Sequence, residues 1–336
     1  MSTDFHDAMK NASVSALWER ENIDMGQLEE TPYLWKWEEL GPLLDEAVAA
    51  TDMDNAERRV LVLENPSYAN SPRTGASLNM VINLQVLMPG EFARPHRHRL
   101  NALRFIVEGD GGAVTTVDGT PCPMFPGDFL LTPGWCWHEH SHNGKGRAVW
   151  LDALDAQLQR HLCINEFEPG PSNDMPPART EDAWAATGIS PVSIPAADAP
   201  ENRPHSPIFR YPLERVANAL SAMTPAPDGS RRIRYTNPLT GGVAMPGLDC
   251  YMLQPATDCD TRAYKTNANM MCLVVEGDGE TQVGETKLSW KKNDIFSLPR
   301  GHWINHRAKS RDARLFQLTD REVLLRLDYL REEFRD

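Results

Sequence analysis

The chain has 336 residues, with 34 Lys+Arg against 47 Asp+Glu for a formal net charge of -13, and with apolar and charged fractions of 41% and 24%. An acidic surface of this kind repels polyanions, which excludes coating of nucleic acid or of anionic membranes, and the ordinary apolar fraction excludes global disorder. At roughly 150 residues per domain the length predicts two domains.

Residues 5–60 are expected to be mostly helical. Ala8, Met9, Ala12, Val14, Leu17 and Trp18 recur at three- and four-residue steps, and Leu40 to Ala50 repeats that texture before the turn residues Thr51 to Asn55. The aromatic run YLWKW, Tyr33 to Trp37, reads either as a cap on a core or as a lid over a pocket. From Leu78 onward, short β-rich runs (LNMVINLQVLMPGE, ALRFIVEGDG, AVTTVDG, GDFLLTPGW) alternate with Pro-Gly, Gly-Asp-Gly and Asp-Gly turns, the pattern of a sandwich or barrel. Residues 169–207 carry nine prolines and few apolar runs, so an irregular surface connection is expected there. The β texture returns from about Leu248. NALRFIVEGDG (101–111) aligns with NMMCLVVEGDG (269–279), and PGDFLLTPGWCWHEH (126–140) with KNDIFSLPRGHWINH (292–306), so the chain contains two copies of one β-unit. Val323, Leu324, Leu327 and Leu330 share a helical face and predict a closing C-terminal helix. The resulting division is a helical segment at 1–75, a first β-unit at 76–165, a Pro-rich connection at 166–240 and a second β-unit at 241–336.

Six cysteines without C-x-x-C spacing point to reduced thiols, and the N-terminal stretch lacks a signal-peptide core. No run of 18 apolar residues exists, so a cytoplasmic protein without a membrane span is expected.

Five of the ten histidines lie between positions 96 and 142. Alternate residues of a strand share a face, so His96 and His98 can reach one point, and His138 follows a second strand and turn. Imidazole suits Fe, Zn, Cu and Ni, and three histidines leave coordination positions open. The segment from Arg94 to Arg104 holds four arginines and no acid, a basic island in an acidic chain. Arg104 has the parity of the ligands and points inward; a buried guanidinium needs an anion, either a substrate carboxylate or a protein acid such as Asp152. Arg97 and Arg99 have the other parity and are expected in solvent. His140 shares the face of His138, whereas His142 is expected at the surface.

Gly90, His96-Arg97-His98, Gly127, Pro133 and His138 resemble the two cupin motifs, and the duplicated unit resembles an all-β bicupin. HRHRLNALRFIVEGDG, DFLLTPGWCWHEH and WLDALD, with LDCYMLQP and YLREEF, resemble the gentisate 1,2-dioxygenase family, which includes salicylate and 1-hydroxy-2-naphthoate dioxygenases. The usual cupin carboxylate ligand is absent, since Ala102 and Leu103 stand where it is expected and Glu108 only precedes a turn. The resemblance implies Fe(II) held by His96, His98 and His138, cytoplasmic catabolism of a small aromatic hydroxy acid with O2, and relatives that are often oligomers. It implies that His140 meets the substrate hydroxyl, that Arg104 and Asp152 belong to the catalytic region, and that Gln85 is a polar pocket position. It further implies an upstream pocket arginine, at Arg58 or Arg59. In the second unit the matching positions are Tyr264, Thr266 and Ile304; Cys272, His302 and His306 remain without ligand spacing, so that unit is expected to be metal-free and structural. Competing readings are a 1-hydroxy-2-naphthoate dioxygenase, another cupin enzyme (disfavoured because those usually retain the motif glutamate that this chain lacks), and a non-catalytic metal-binding bicupin.

Overall fold

The computed structural model describes residues 3–19, 29–52, 59–69, 75–179 and 204–335. Arg58 lies outside them, as do Asn55 and most of the proline-rich stretch between 180 and 203. Helices α1 (Thr3–Asn11) and α2 (Trp37–Ala50) flank a short strand, β1 (Leu34–Trp35), and β2 (Arg59–Val62) follows. The first unit runs through β3 (Val81–Leu87), β4 (Phe92–His98), β5 (Ala102–Glu108), β6 (Ala113–Val117), β7 (Thr120–Pro123), β8 (Phe129–Thr132), β9 (His138–His142) and β10 (Ala148–Leu154). After it come α3 (Ala156–Leu162), β11 (Phe167–Pro169), β12 (Arg210–Tyr211), α4 (Leu213–Ala222) and β13 (Arg231–Arg234). The second unit repeats the pattern as β14 (Asp249–Gln254), β15 (Ala263–Thr266), β16 (Met270–Glu276), β17 (Asp278–Val283), β18 (Thr286–Lys291), β19 (Ile295–Leu298), β20 (Trp303–Ala308) and β21 (Arg314–Thr319), closed by α5 (Arg321–Arg326) and β22 (Glu332–Arg335).

Each unit is a pair of facing antiparallel sheets. The first has the orders β12-β8-β5-β10-β3-β2 and β11-β4-β9-β6-β7, the second β1-β19-β16-β21-β14-β13 and β18-β17-β20-β15-β22. The correspondence is strand for strand, and the register agrees with the aligned motifs: His96 pairs with His138, and Tyr264 with Ile304. Burial follows the layering. Strand β6 alternates buried and half-buried residues, whereas β5 and β10 are buried almost throughout. The reason is that the six-stranded sheet has apolar partners on both faces. Ile106, Leu87, Leu130 and Trp150 fill the interior of the first unit. Phe105, Phe129, Leu84 and Val86 point the other way into a core shared with Met271, Leu273, Phe316 and Leu318 of the second unit.

The structure decides three expectations. The closing helix is only six residues long, because Leu327 and Leu330 leave the helical path and the chain returns as β22, paired with β15. The edge of β15 has free backbone groups that a strand satisfies and a helix does not. The connection is irregular as expected at its described residues 170–179 and 204–209, but strands flank it: β11 extends the sheet of β4, and β12 extends that of β8. YLWKW caps a core and forms no lid, since β1 pairs with β19 of the second unit and Trp35 is buried. Among the described residues no helix is long and apolar enough to cross a membrane.

Candidate active site

The first unit gathers His96, His98 and His138 at one end of its interior, each buried, with one ring nitrogen from each lying within 4.8 Å of the others. The local sequence explains the aim of each ring. On β4 the ladder with β9 shifts between Ala93 and His96, and the extra residue falls at Arg94-Pro95, where proline has no N–H to contribute. The carbonyl of Arg94 freed by this bulge lies 3.0 Å from His96 Nδ1. His98 Nδ1 meets the Leu100 carbonyl at 2.9 Å, and His138 Nδ1 meets the Cys136 carbonyl at 3.0 Å. A carbonyl only accepts, so all three rings donate from Nδ1 and keep the lone pair on Nε2. Three neutral imidazoles with fixed tautomers form a nitrogen donor set that fits a divalent first-row metal, and no carboxylate belongs to the group. Burial, and then the neighbouring His96 and His98, hold the His138 pKa well below the usual histidine value, which keeps its lone pair available.

Deeper in the interior, Arg104, Asp152 and Gln85 share the inner face of the six-stranded sheet with Ile106 and Trp150, and His140 meets them from the five-stranded sheet. Arg104 points inward, as its parity predicts, and its anion is Asp152: Arg104 Nε donates to Asp152 Oδ1 at 2.8 Å. The other carboxylate oxygen accepts from Trp150 Nε1 at 2.9 Å. The arginine is therefore charge-compensated by the protein. Its Nη1 lies 3.1 Å from Thr115 Oγ1 and 3.2 Å from His140 Nδ1, and Thr115 Oγ1 is 3.0 Å from the same nitrogen. A guanidinium can only donate, so the ring must present a lone pair to it, which favours a neutral His140. The rings of His138 and His140 are 6.1 Å apart, so this network adjoins the histidine cluster. Gln85, opposite Trp150 on β3, is buried, and its Nε2 has no hydrogen-bond partner.

Arg59 is not brought to this site. It pairs with Val86, on the opposite face from Gln85, and its guanidinium is tied to Glu91, beside the His142 end of β9. Arg97 is not solvated either: Glu168 and Asp174 bind it, and it stacks on Trp135 and Trp137 at 4.6 Å. Arg99 pairs with Glu166, and Glu108 is occupied by Arg147. His142 is buried, with Nε2 2.8 Å from the Gly146 carbonyl, because β9 stays inside the sheet to its end.

Two neighbours of the site carry no sequence signal of their own. Thr115 sits in the AVTTV strand and becomes visible only when β6 is registered against β9, with Thr115 opposite His140. Phe167 lies on β11 beyond a helix and stacks on His96 at 5.6 Å.

The matching unit of the second half has lost this chemistry at the corresponding places, with Cys272 at the position of Arg104 and Gln317 at that of Asp152.

Comparison with known proteins agrees with this geometry. The cupin domain family matches residues 83–154. Gentisate 1,2 dioxygenase 1 of Aquipseudomonas alcaligenes is 34% identical over 98% of this chain and 95% of its own length. A 5-aminosalicylate 1,2-dioxygenase of Comamonas sp is 35% identical over 90% of this chain and 81% of its own. The crystal structure of salicylate 1,2-dioxygenase from Pseudoaminobacter salicylatoxidans with gentisate superposes with a TM-score of 0.86 at 29% identity, covering 99% of this chain and 93% of that one.

Proposed function

The chain belongs to the family of gentisate and salicylate 1,2-dioxygenases, ring-cleaving enzymes of bicupin fold, and from that premise we propose that it uses Fe(II) to open the ring of gentisate or a substituted salicylate between the carboxyl- and hydroxyl-bearing carbons. The observation that carries the metal assignment is the trio of backbone-anchored imidazoles of His96, His98 and His138, free of any carboxylate. When bound there, Fe(II) supplies open positions for substrate oxygens and O2 and the electron transfer between them.

The chain's own residues do the rest. His140, next to that centre and held by Arg104 and Thr115, exchanges a hydrogen bond or proton with the substrate hydroxyl. Arg104 acts on His140 by keeping the ring neutral and correctly turned, and Asp152 fixes Arg104 in turn. Gln85 offers an unpartnered Nε2 donor to a substrate oxygen. Because Asp152 already compensates Arg104, the substrate carboxylate is neutralised mainly by the metal in this reading. Buried Trp150, Ile106 and Leu87 keep the interior dry, which strengthens each of these contacts.

The test is anaerobic Fe(II) loading followed by oxygen-electrode assays with gentisate, 5-substituted salicylates and 1-hydroxy-2-naphthoate. Oxygen uptake stoichiometric with loss of the aromatic absorbance is expected, with both abolished in His96→Ala. Iron-replete protein that consumes no oxygen with any of these would be a non-catalytic metal-binding bicupin.

A further inference from the structure

The second unit has no histidine cluster, yet its interior is not packed shut. It encloses a cavity of about 900 Å³, within the range of small-molecule sites. We infer that this cavity is a second binding site, for a small aromatic carboxylate, that works without metal.

The floor is neutral and polar. His306 occupies the place that His140 holds in the first unit and keeps the same partner type: its Nδ1 lies 2.8 Å from Thr281 Oγ1, as His140 does from Thr115. Trp290 Nε1 donates to that hydroxyl at 2.9 Å. The other ring nitrogen of His306 is 3.3 Å from Gln317 Nε2, while Gln317 Oε1 is buried and has no partner. Whichever way the amide is turned, one of its two polar atoms meets His306 and the other is left unpaired at the cavity wall. Burial, and then Arg232, push the His306 pKa down to about 3, so the floor stays uncharged in the physiological range. The walls are apolar and aromatic, with Leu253, Met270 and Tyr264.

The rim has the opposite character. Four guanidinium groups and three carboxylates line it, in a chain whose net charge is -13. The carboxylates are already engaged: Asp260 is bidentate on Arg307, Glu332 is bidentate on Arg321, and Asp228 accepts from Ser230 and from the backbone N–H of Arg262. Arg232 has no ion-pair partner among the described residues; it stacks on Tyr251 at 3.8 Å. Arg335 likewise stacks on Trp303 at 3.7 Å. An unpaired guanidinium at the mouth, an aromatic wall and a neutral, uncharged floor together fit a flat aromatic carboxylate. The seven polar and charged groups that β13, β20, β21 and β22 bring here come from four different strands, so the site exists only in the folded unit.

The probes are 2-naphthoate and the uncharged 2-naphthalenemethanol, titrated calorimetrically into full-length metal-free protein carrying His96→Ala and His98→Ala. Saturable binding of 2-naphthoate is expected, at least tenfold tighter than of the alcohol. Arg232→Ala, added to the same background, should weaken it about tenfold, while leaving thermal stability and, in the iron-loaded wild-type background, oxygen uptake unchanged. Absence of saturable binding, equal affinity for the two probes, or affinity unaltered by Arg232→Ala would overturn the inference. None of these readouts depends on iron or turnover, so the proposed dioxygenase activity stands or falls separately.

Discussion

Thr115 links Arg104 and His140 through one hydroxyl, and each of the two lies within 3.1 Å of it. Groups that orient the residues around a metal typically cost 10–100-fold when removed, so Thr115→Val should lower kcat by about 10–100-fold with iron content unchanged, measured by oxygen uptake and metal analysis. A role in stability alone would lower Tm without that loss. The second histidine of this type yields a pH prediction. His306 is neutral when folded, with its pKa pushed down to about 3, but takes up a proton near pH 6.5 when unfolded. The unfolded state therefore binds more protons below pH 6.5, and folding stability falls as the pH drops from there toward 3, by about 1.4 kcal/mol per unit. Comparing wild type with His306→Gln by denaturant unfolding at pH 6 and pH 4.5 isolates this group. The wild type should lose about 2 kcal/mol more than the variant over that interval. A parallel pH dependence in the two proteins would sink the assignment. At this scale the inward aim of His96, His98, His138 and Arg104 was legible in the sequence, because strand parity points each of them into the interior. It could not choose between a substrate carboxylate and Asp152 as the partner of Arg104, since that depends on β5 and β10 being neighbours in register. The face on which Arg59 lies is hidden for the same kind of reason: it is readable only once β2 is paired with β3.

Single elements show how the repeat extends past its motifs. Strand β11 lies beside β4 as β22 lies beside β15, and β12 lies beside β8 as β1 lies beside β19. Each short strand covers a sheet edge that would otherwise expose unpaired backbone groups. The C-terminal segment was expected to be helical from its leucine spacing, but the helical period ends where the edge of β15 offers hydrogen bonds. Strand β1 reaches across from the N-terminal segment, and Trp35 anchors it in the shared core. Trp35→Ala should cost about 3–5 kcal/mol of folding stability, read as a shifted denaturation midpoint at constant slope. An unchanged midpoint would mean that β1 is not needed by the second unit's sheet.

At the level of the whole molecule the two units are one folding body. Phe105 of the first unit stacks on Phe316 of the second at 4.2 Å, and Phe129 and Tyr235 surround the pair. Phe316→Ala should therefore cost about 3–5 kcal/mol and lower the stability of both units together, giving one unfolding transition by fluorescence and circular dichroism. Separate transitions for the two halves would contradict the shared core. This packing gives the second unit a structural part: its six-stranded sheet covers the outer face of the sheet that carries Arg104, Asp152 and Gln85.

The sequence by itself determined the two-fold β-repeat, the inward strand faces and the three histidines, because turn residues, period-two alternation and the spacing of H-x-H act within a few residues of one another. Only the tertiary structure decided the partner of Arg104, the place of Arg59, the contacts of Thr115 and Phe167, the conversion of the C-terminal helix into an edge strand, and the open cavity of the second unit. Each of these depends on which strands become neighbours and in what register, a choice settled by burying the apolar faces of distant segments against one another and not by any local pattern.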